Sequence, residues 1–571
     1  MSGFTGYSRS NLFALGMMVL LSVISLHADS LGGMVHGITK NAAGQPVAGV
    51  QILARNLDDQ TDRRAVSSAD GRFVVDNLKP GRYEISATLA SLKAALPGAT
   101  ELAAGQDRGL DLILTGTDPA VAPVTNVAHS GSFLNRLVKA YADDWNNVAA
   151  NGPVPPYRGY EAPESNPPFP FTVWPYGGSP VIGQPNTMSP PVMNALYAGP
   201  HGEAWQHSKI QVYGWLSGGF NISSSNHGGL ANAPAAYYVY PNSLQLDQAT
   251  LYVERVPDTV QTDHIDWGFR FTALYGMDYR FTTSKGILSS QLLDNNSRYG
   301  FDPVMAYFDI YIPQIGQGTN IRIGRYVSLP DIEAQLAPNN YTYSHSITYT
   351  YDCYTQQGIN VTTRLSSHWM MQVGLSAGCD ASLWTQDAKA TGNFCLSYTW
   401  SGGGDNLYAC ANSINSSKYA YNNLAAYYLT WYHKINDKWH TDTESWYQYM
   451  RDVPSIFGSI PAEKGSNGAW CNPGQQSCFA PEWAIVNYVE RQVGKRNYIS
   501  IRNEYFDDIK GQRTGYKTRY SEHLLGWGHW IGSTILLRPE ISYLRAYNYP
   551  AFDAGAKKNQ TMLAGDVIWF Y

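Results

Sequence analysis

Acidic and histidine side chains form no arrangement in this sequence that would support catalysis. They occur together in TDHIDWGFR and SEHLLGWGHW, two segments typical of strand ends or turns. An enzyme needs a nucleophile, a base and a stabilising group that converge, and neither an HExxH nor a P-loop motif is present. No CxxC or Cys/His spacing indicates a metal site, and Asp507 with Asp508 is weak evidence for Ca²⁺. The sequence therefore predicts no enzyme, no catalytic residue, no metal and no cofactor.

The composition excludes several classes of protein. Only 15% of the 571 residues are charged, against about 25% in a typical soluble domain, whereas 13% are aromatic. The net charge of −5 provides no basic footprint for nucleic acid. Beyond the N-terminus, no apolar run approaches the ~20 residues of a membrane-spanning helix, and a disordered chain would carry fewer aromatic residues. A secreted β-protein or a transmembrane β-barrel remains.

The N-terminus indicates export. Arg9 precedes an apolar stretch over 12–26, and the small residue Ala28 follows it, which is the order of a secretory signal peptide. We therefore predict a signal peptide over 1–28, with a buried helix or a single membrane anchor as the alternative.

Export makes the six cysteines available for three disulfides rather than free thiols. In an antiparallel hairpin the residue numbers of two opposed positions always add up to the same value, so the midpoint of each opposed pair lies in the turn. The midpoints of two cysteine pairs fall in predicted turns. The third pair flanks the loop NPGQQ. The predicted bridges are Cys353–Cys379, Cys395–Cys410 and Cys471–Cys478.

Residues 33–115 show short alternating segments with turns at Asp70-Gly71 and Pro80-Gly81, which is typical of a small all-β sandwich. The string GQPVAGV…ADGRFVVDNLKPGRYEISA resembles the carboxypeptidase regulatory-like domain, a transthyretin-like sandwich. That resemblance implies a binding or spacer module rather than a catalytic one.

Residues 116–207 have a different character. SFLNRLVKAYADDWNN favours an amphipathic helix, because aromatic and aliphatic residues recur in it every four positions. The proline-rich stretch PVPPYRGYEAPESNPPFPFTVWPYGGSPVIGQP prevents both a helix and a central strand. It indicates an extended linker, or alternatively a segment lodged in the mouth of a barrel.

Residues 208–571 follow a strand–turn–strand pattern throughout. Trp267, Phe269 and Phe271 fall on one face of a strand and Arg270 on the other, and Ile359, Val361 and Ile501 belong to similar lipid-facing stripes. Short and long connections alternate, which is the mark of an outer-membrane barrel, and the last strand alternates to a terminal aromatic at Tyr571. We predict a closed antiparallel barrel of about 16 strands that begins near Ile210.

Charged residues that alternate with apolar neighbours mark the inner face of such a barrel. A lipid-facing Arg or Lys at the membrane midplane costs about 2–4 kcal/mol, so these side chains should face the lumen. There, facing acids and bases would make a water-filled pore selective; a salt-bridged wall that closes a narrow barrel is the alternative. The predicted pore-lining residues are Glu254, Arg270, Asp309, Arg322, Arg502, Glu504, Arg538 and Glu540.

A long loop after residue 327 is a second candidate site. SLPDIEAQL has a serine N-cap signal, an early proline and acids in its first turn, which predicts one short helix. If this loop folds inward, Asp331 and Glu333 lie in the lumen as a constriction. If it lies outside, it is an ordinary surface helix.

The barrel region resembles the β-barrel porin-2 family of bacterial outer membranes. The resemblance rests on YGWLSGGFNISSS, QLDQATLYVERVPDTVQTDHIDWGFRFTALYGMDYRFTTSKG, IRIGRYVSLPDIEAQLAPNNYTYSHS, RNEYFDDIKGQRTG and LLRPEISY. It implies a pore-forming barrel and supplies no substrate.

The sequence thus predicts an outer-membrane porin through which small hydrophilic solutes or ions diffuse passively, with its N-terminal domain in the periplasm. The main alternative is a non-conducting barrel that acts as an adhesin or anchor. A TonB-dependent receptor would need ~22 strands around a plug, too many for this chain. The expected partners are outer-membrane lipid, the transported solutes, the barrel-assembly machinery at the C-terminal strand and further copies of the chain, but not nucleic acid.

Overall fold

The computed structural model describes residues 33–115 and 190–571, each with short gaps, together with 131–146 and Ile182. The predicted signal peptide and most of the proline-rich stretch lie outside the described residues. No helix in the described part is long and apolar enough to cross a membrane.

The first described unit is a β-sandwich over residues 33–115. One sheet has the order β4-β1-β8 with β9 also on β1, and the other has the order β3-β2-β5-β6 with β7 on β5. Alternate side chains from both sheets, among them Val35, Phe73 and Ile85, form one buried core. The strands are β1 Gly33–Lys40, β2 Gln51–Asn56, β3 Asp62–Val66, β4 Arg72–Leu78, β5 Gly81–Leu89, β6 Leu92–Ala95, β7 Thr100–Leu102, β8 Asp107–Gly109 and β9 Leu112–Ile113.

Sixteen antiparallel strands form a closed barrel that begins at Ile210. The last strand pairs with the first, with Trp569 opposite Leu216, so the sheet has no free edge and its backbone groups bond within the wall. The strands are β10 Ile210–Ser223, β11 Leu244–Arg255, β12 Asp266–Gly276, β13 Gly300–Ile312, β14 Thr319–Val327, β15 Thr355–Arg364, β16 Trp369–Cys379, β17 Thr391–Trp400, β18 Asp405–Ile414, β19 Ala425–Asn436, β20 Trp439–Pro454, β21 Ser477–Gln492, β22 Asn497–Asp508, β23 Arg519–Ile531, β24 Ile535–Ala546 and β25 Asn559–Phe570.

The two faces of the barrel wall differ as the sequence alternation predicts. Trp267, Phe271, Ile359 and Ile501 are exposed on the outer face, where Phe269 and Val361 are half-buried. Polar and charged side chains between them point inward and are buried. The predicted fold class, a closed barrel of sixteen strands after a small β-sandwich, is confirmed.

Connections alternate between short turns at one end of the barrel and long loops at the other. The turn after β23 spans only 532–534, whereas the loop after β14 spans 328–354. Short helices lie before the barrel or in its long loops: α1 Phe133–Trp145, α2 Pro191–Tyr197, α3 Gly202–Ser208, α4 Tyr279–Thr282, α5 Ser290–Leu293 and α6 Ile347–Thr350, with a 3₁₀ turn at Ala337–Asn339.

Helix α1 is fixed to the short-turn end of the barrel. The Tyr141 hydroxyl donates to the Phe570 carbonyl at 2.9 Å, and the Asp144 carboxylate accepts from the Ser533 backbone N–H at 2.8 Å. Gly532 has φ +62°, and a Cβ there would lie 2.1 Å from the Asp144 carboxylate, so this turn requires glycine. The segment before the barrel is therefore tied to its short-turn rim.

Three disulfides join the six cysteines in the pairs that the sequence predicts. Cα–Cα separations are 5.2 Å for Cys353–Cys379, 4.0 Å for Cys395–Cys410 and 5.7 Å for Cys471–Cys478. Cys395 and Cys410 face each other across β17 and β18. Cys353 precedes β15, so its bridge fixes the end of the long loop to β16.

Candidate lumenal site

The long loop between β14 and β15, residues 328–354, occupies the interior of the barrel and is called the inner loop below. Every residue of it except Asn339 and Tyr351 is buried. Its polar groups bond to the inner faces of β11, β18, β20, β21, β22 and β24, so it reaches strands far around the wall from its own origin. Of the two positions considered for this loop, the inward one is found, and Asp331 and Glu333 lie in the lumen.

The helix predicted for SLPDIEAQL does not form. The Ile332 backbone N–H donates to the Glu444 carboxylate at 2.8 Å, and the Ala334 N–H donates to the Asn340 side chain at 2.8 Å. These N–H groups therefore bond to side chains instead of to carbonyls one turn earlier, and regular structure is limited to the 3₁₀ turn and α6. Contacts inside the barrel override the local helix signal.

Two arginines bind inner-loop carbonyls. Arg538 donates to the carbonyls of Ala337 at 2.8 Å and Asn340 at 2.7 Å, while its other nitrogens bond to Asp566 at 2.6 and 2.9 Å. Arg502 donates to the Ser344 carbonyl at 2.7 Å and bonds to Glu522 in the same manner. Each guanidinium thus forms a salt bridge and binds loop backbone at the same time.

Two glutamates on the same strands bind inner-loop N–H groups. Glu504 accepts from the backbone of Ile347 at 3.0 Å and of Thr348 at 2.9 Å. Glu540 accepts from the Tyr343 N–H at 3.0 Å and from the N–H of the next residue. The wall therefore supplies both donors and acceptors to a loop that lacks regular structure.

The other four predicted pore residues form a compact group on the wall. Arg270 bonds to Glu254 at 2.7 Å, and Arg322 makes two bonds of 2.9 Å to Asp309. The Tyr307 ring lies between the two guanidinium groups, 5.7 Å from Arg270 and 3.6 Å from Arg322. All eight predicted pore residues face inward. Each is at most 5% exposed, so little of their charged surface contacts water in the lumen, and their effect on an ion current stays a prediction.

Several lumenal residues that pair with the predicted ones or contact the inner loop were missed by the sequence reasoning. Glu522 and Asp566, the acids that pair with Arg502 and Arg538, occupy inward positions by strand parity and could have been found that way. Parity also places Glu444 inward, but its contact with the inner loop could not be predicted because it depends on where that loop lies. The string GLSAG over 374–378 matches the Gly-x-Ser-x-Gly pattern of hydrolases, but it lies within β16, whereas that pattern needs a strand-to-helix turn.

Long loops are joined to one another at the other end of the barrel. The Asp553 carboxylate accepts backbone N–H groups of Asn226 and His227, both at 2.8 Å, and lies 2.9 Å from the Lys557 ammonium. These interactions, the His227 N–H first, hold the pKa of Asp553 well below its usual range. The loops after β10 and β24 are thus fastened together.

Comparison with known proteins identifies the two units. The family model described as "Putative beta-barrel porin-2, OmpL-like" matches residues 209–570, and the carboxypeptidase regulatory-like domain matches residues 34–115. No curated protein matches the chain.

Solved structures with a similar barrel include the anion-selective porin from Comamonas acidovorans, at 10% identity and a TM-score of 0.41, covering 63% of this chain and 99% of that one. The outer membrane channel DcaP of Acinetobacter baumannii matches at 10% identity and a TM-score of 0.40, covering 63% and 97%. Because the porin-2 family model covers more than half of the sequence, the chain belongs to this β-barrel porin family of the bacterial outer membrane.

Proposed function

We propose that this protein lets small hydrophilic solutes or ions cross the outer membrane by passive diffusion, and that the inner loop sets the width of the path. The observation that carries the proposal is the inner loop itself, which leaves β14, enters the lumen and bonds to strands as distant as β22 and β24. A polar inner face around such a loop is suited to water and polar solutes.

The proposal includes the arrangement of the whole chain. A signal peptide over 1–28, a regulatory-like sandwich over 33–115, a linker over 116–207 and a barrel over 208–571 would follow one another, with the sandwich in the periplasm. The attachment of α1 to the short-turn rim supports this orientation, because short turns of outer-membrane barrels are periplasmic. Assembly through the C-terminal strand and association between copies stay predictions.

A non-conducting anchor is the second candidate function. The near-complete burial of the inner loop and of all eight inward charges favours it, because such packing leaves little charged surface open to water. The two candidates differ in one measurable property, the current through a folded barrel.

The test compares single-channel conductance in planar bilayers for two variants shortened by equal lengths. Replacing residues 337–346 with a short Gly-Ser linker removes the middle of the inner loop. The matched control shortens the mostly exposed segment 456–465 of the loop after β20 and should leave the lumen unchanged.

We expect stepwise currents from the natural chain, a severalfold larger conductance from the inner-loop variant and no change in the control. Equal conductance in all three proteins would show that the inner loop does not limit the path. Absence of current from the folded natural chain, with current from the inner-loop variant, would favour the anchor.

A further inference from the structure

Three carboxylates meet inside the barrel where the inner loop approaches β20. Asp331 lies near the start of the inner loop, Asp352 near its end and Glu444 in the middle of β20. One oxygen from each lies within 4.8 Å of the others, and all three residues are buried. The fold thus concentrates three acids at one point from positions far apart in the sequence.

This acid cluster lacks the arginine partners that several other lumenal acids have. No Lys, Arg or His among the described residues forms a salt bridge with any of its three members, whereas Glu254, Asp309 and Asp566 each pair with an arginine. Buried charges in proteins are normally paired or bound to metal. The cluster therefore needs a positive charge that the described side chains do not supply.

Unused acceptor atoms at the cluster point to a ligand. No N–H or O–H group of a described residue outside the cluster reaches either carboxylate oxygen of Asp352 or Oδ1 of Asp331, all of them buried, although the two carboxyl groups lie close enough to hydrogen-bond to each other. Asp352 itself is fully buried. Its position is fixed by the next residue, Cys353, whose disulfide joins β16, so these acceptors are held in place without a donor.

We propose that the acid cluster binds one hard divalent cation, Ca²⁺ in preference to Mg²⁺. Oxygen ligands surround Ca²⁺ at about 2.3–2.6 Å, so oxygens that share one ion lie no more than about twice that distance apart, and the separations within the cluster are short enough for this. Ca²⁺ tolerates irregular sets of six to eight oxygens, whereas Mg²⁺ requires near-ideal octahedral geometry. Three carboxylates with added water suit the former ion.

Bound Ca²⁺ would fasten both ends of the inner loop to the wall. Asp331 and Asp352 lie on either side of the loop's central portion, and Glu444 already accepts the Ile332 N–H. The ion joins these three residues, so it opposes movement of the inner loop away from β20.

The test measures Ca²⁺ binding to the purified, detergent-solubilised full chain by isothermal titration calorimetry after removal of metal with EDTA. We expect about one Ca²⁺ per chain, and Asp352→Asn and Glu444→Gln should each weaken binding by about tenfold or more, because affinity follows the charge of the ligand set. Glu482→Gln is the matched control. Glu482 is also a buried lumenal acid whose carboxylate oxygens have no hydrogen-bond partner among the described residues, but it does not belong to the cluster, so its variant should bind Ca²⁺ as the natural chain does.

Thermal unfolding gives a second measurement that does not depend on conduction. Ca²⁺ should raise the unfolding temperature of the natural chain and of Glu482→Gln but not of Asp352→Asn. Absence of binding at millimolar Ca²⁺ would overturn the proposal, as would equal binding by Asp352→Asn and the natural chain. A proton shared between Asp331 and Asp352 would instead make Asp352→Asn more stable at every Ca²⁺ concentration, which also overturns it. None of these results depends on whether the barrel conducts.

Discussion

The two sides of the lumen hold the inner loop with different chemistry. On the side of β22 and β24, Arg502 and Arg538 each pair with an acid of the next strand and also bind loop carbonyls. On the side of β20, Glu444 meets Asp331 and Asp352 without a described basic partner. On the first side each arginine forms a salt bridge with an acid of the wall, whereas the three acids on the second side need an added cation or proton.

This difference shows how a barrel can hold a loop that has little regular structure. Backbone N–H and C=O groups away from water must find partners, and here guanidinium groups bind carbonyls while carboxylates bind N–H groups. Arginine alone would be enough if the wall had to bind only loop carbonyls. The loop N–H groups also need acceptors, which carboxylates supply, and near β20 these carboxylates place several negative charges close together.

The largest expected effect comes from breaking a salt bridge on the side of β22 and β24. Arg538→Met leaves Asp566 buried without its guanidinium and removes two bonds to the inner loop, so the free energy of unfolding should fall by about 3–5 kcal/mol. Urea-induced unfolding, followed by tryptophan fluorescence in detergent, measures the change.

The control for this prediction removes both partners. Arg538→Met combined with Asp566→Leu should lose less stability than Arg538→Met alone, because no uncompensated charge remains. Equal losses in the single and double variants would show that the loop contacts, rather than the ion pair, account for the effect.

A smaller effect is expected at the glutamates, and it should differ between the two sides. Glu504→Ala removes the acceptor for two loop N–H groups and should cost about 1–3 kcal/mol in the free energy of unfolding. Glu444→Gln retains an acceptor for the Ile332 N–H and removes a like charge, so in EDTA its stability should equal or exceed that of the natural chain. The same unfolding experiment measures both, and a clear loss for Glu444→Gln in EDTA would contradict the distinction between the sides.

Strand parity predicts which way a side chain points, because successive residues of a strand face opposite sides. For this reason Arg270, Asp309 and Arg502 face inward as expected, and the hairpin argument finds Cys395 opposite Cys410. Parity does not say what fills the barrel. The helix signal in SLPDIEAQL would apply to this segment in water. Inside the barrel, contacts such as the bond from the Ile332 N–H to Glu444 decide the conformation of the segment instead.

The acid cluster lies beyond sequence reasoning for the same reason. Its members are separated along the chain, and no local spacing connects Asp331 to Asp352 or to Glu444. They meet only because the inner loop folds into the lumen and because the Cys353–Cys379 bridge holds its end. Local patterns therefore predict the wall, whereas the contents of the lumen require the three-dimensional structure.

The smallest expected effect concerns ion selectivity and extends the comparison to the wall group around Tyr307. Replacing Arg270 and Arg322 with Gln leaves Glu254 and Asp309 without their cations, so the reversal potential in a salt gradient should shift toward cation selectivity. The shift should shrink as salt increases, because charges are screened over about 10 Å at 0.1 M.

Two further variants serve as controls for this selectivity prediction. Arg255→Gln removes one positive charge from a residue whose guanidinium lies against the outward-facing Trp267 ring, 4.4 Å from its centre, and should leave selectivity unchanged. Glu254→Gln combined with Asp309→Asn removes the opposite charge from the same inner group and should shift the reversal potential toward anions. If both inner double variants conduct with the selectivity of the natural chain, then these ion pairs brace the wall and do not act on the permeating ion. Opposite shifts would instead show that even side chains at most 2% exposed impose their field on the path beside the inner loop.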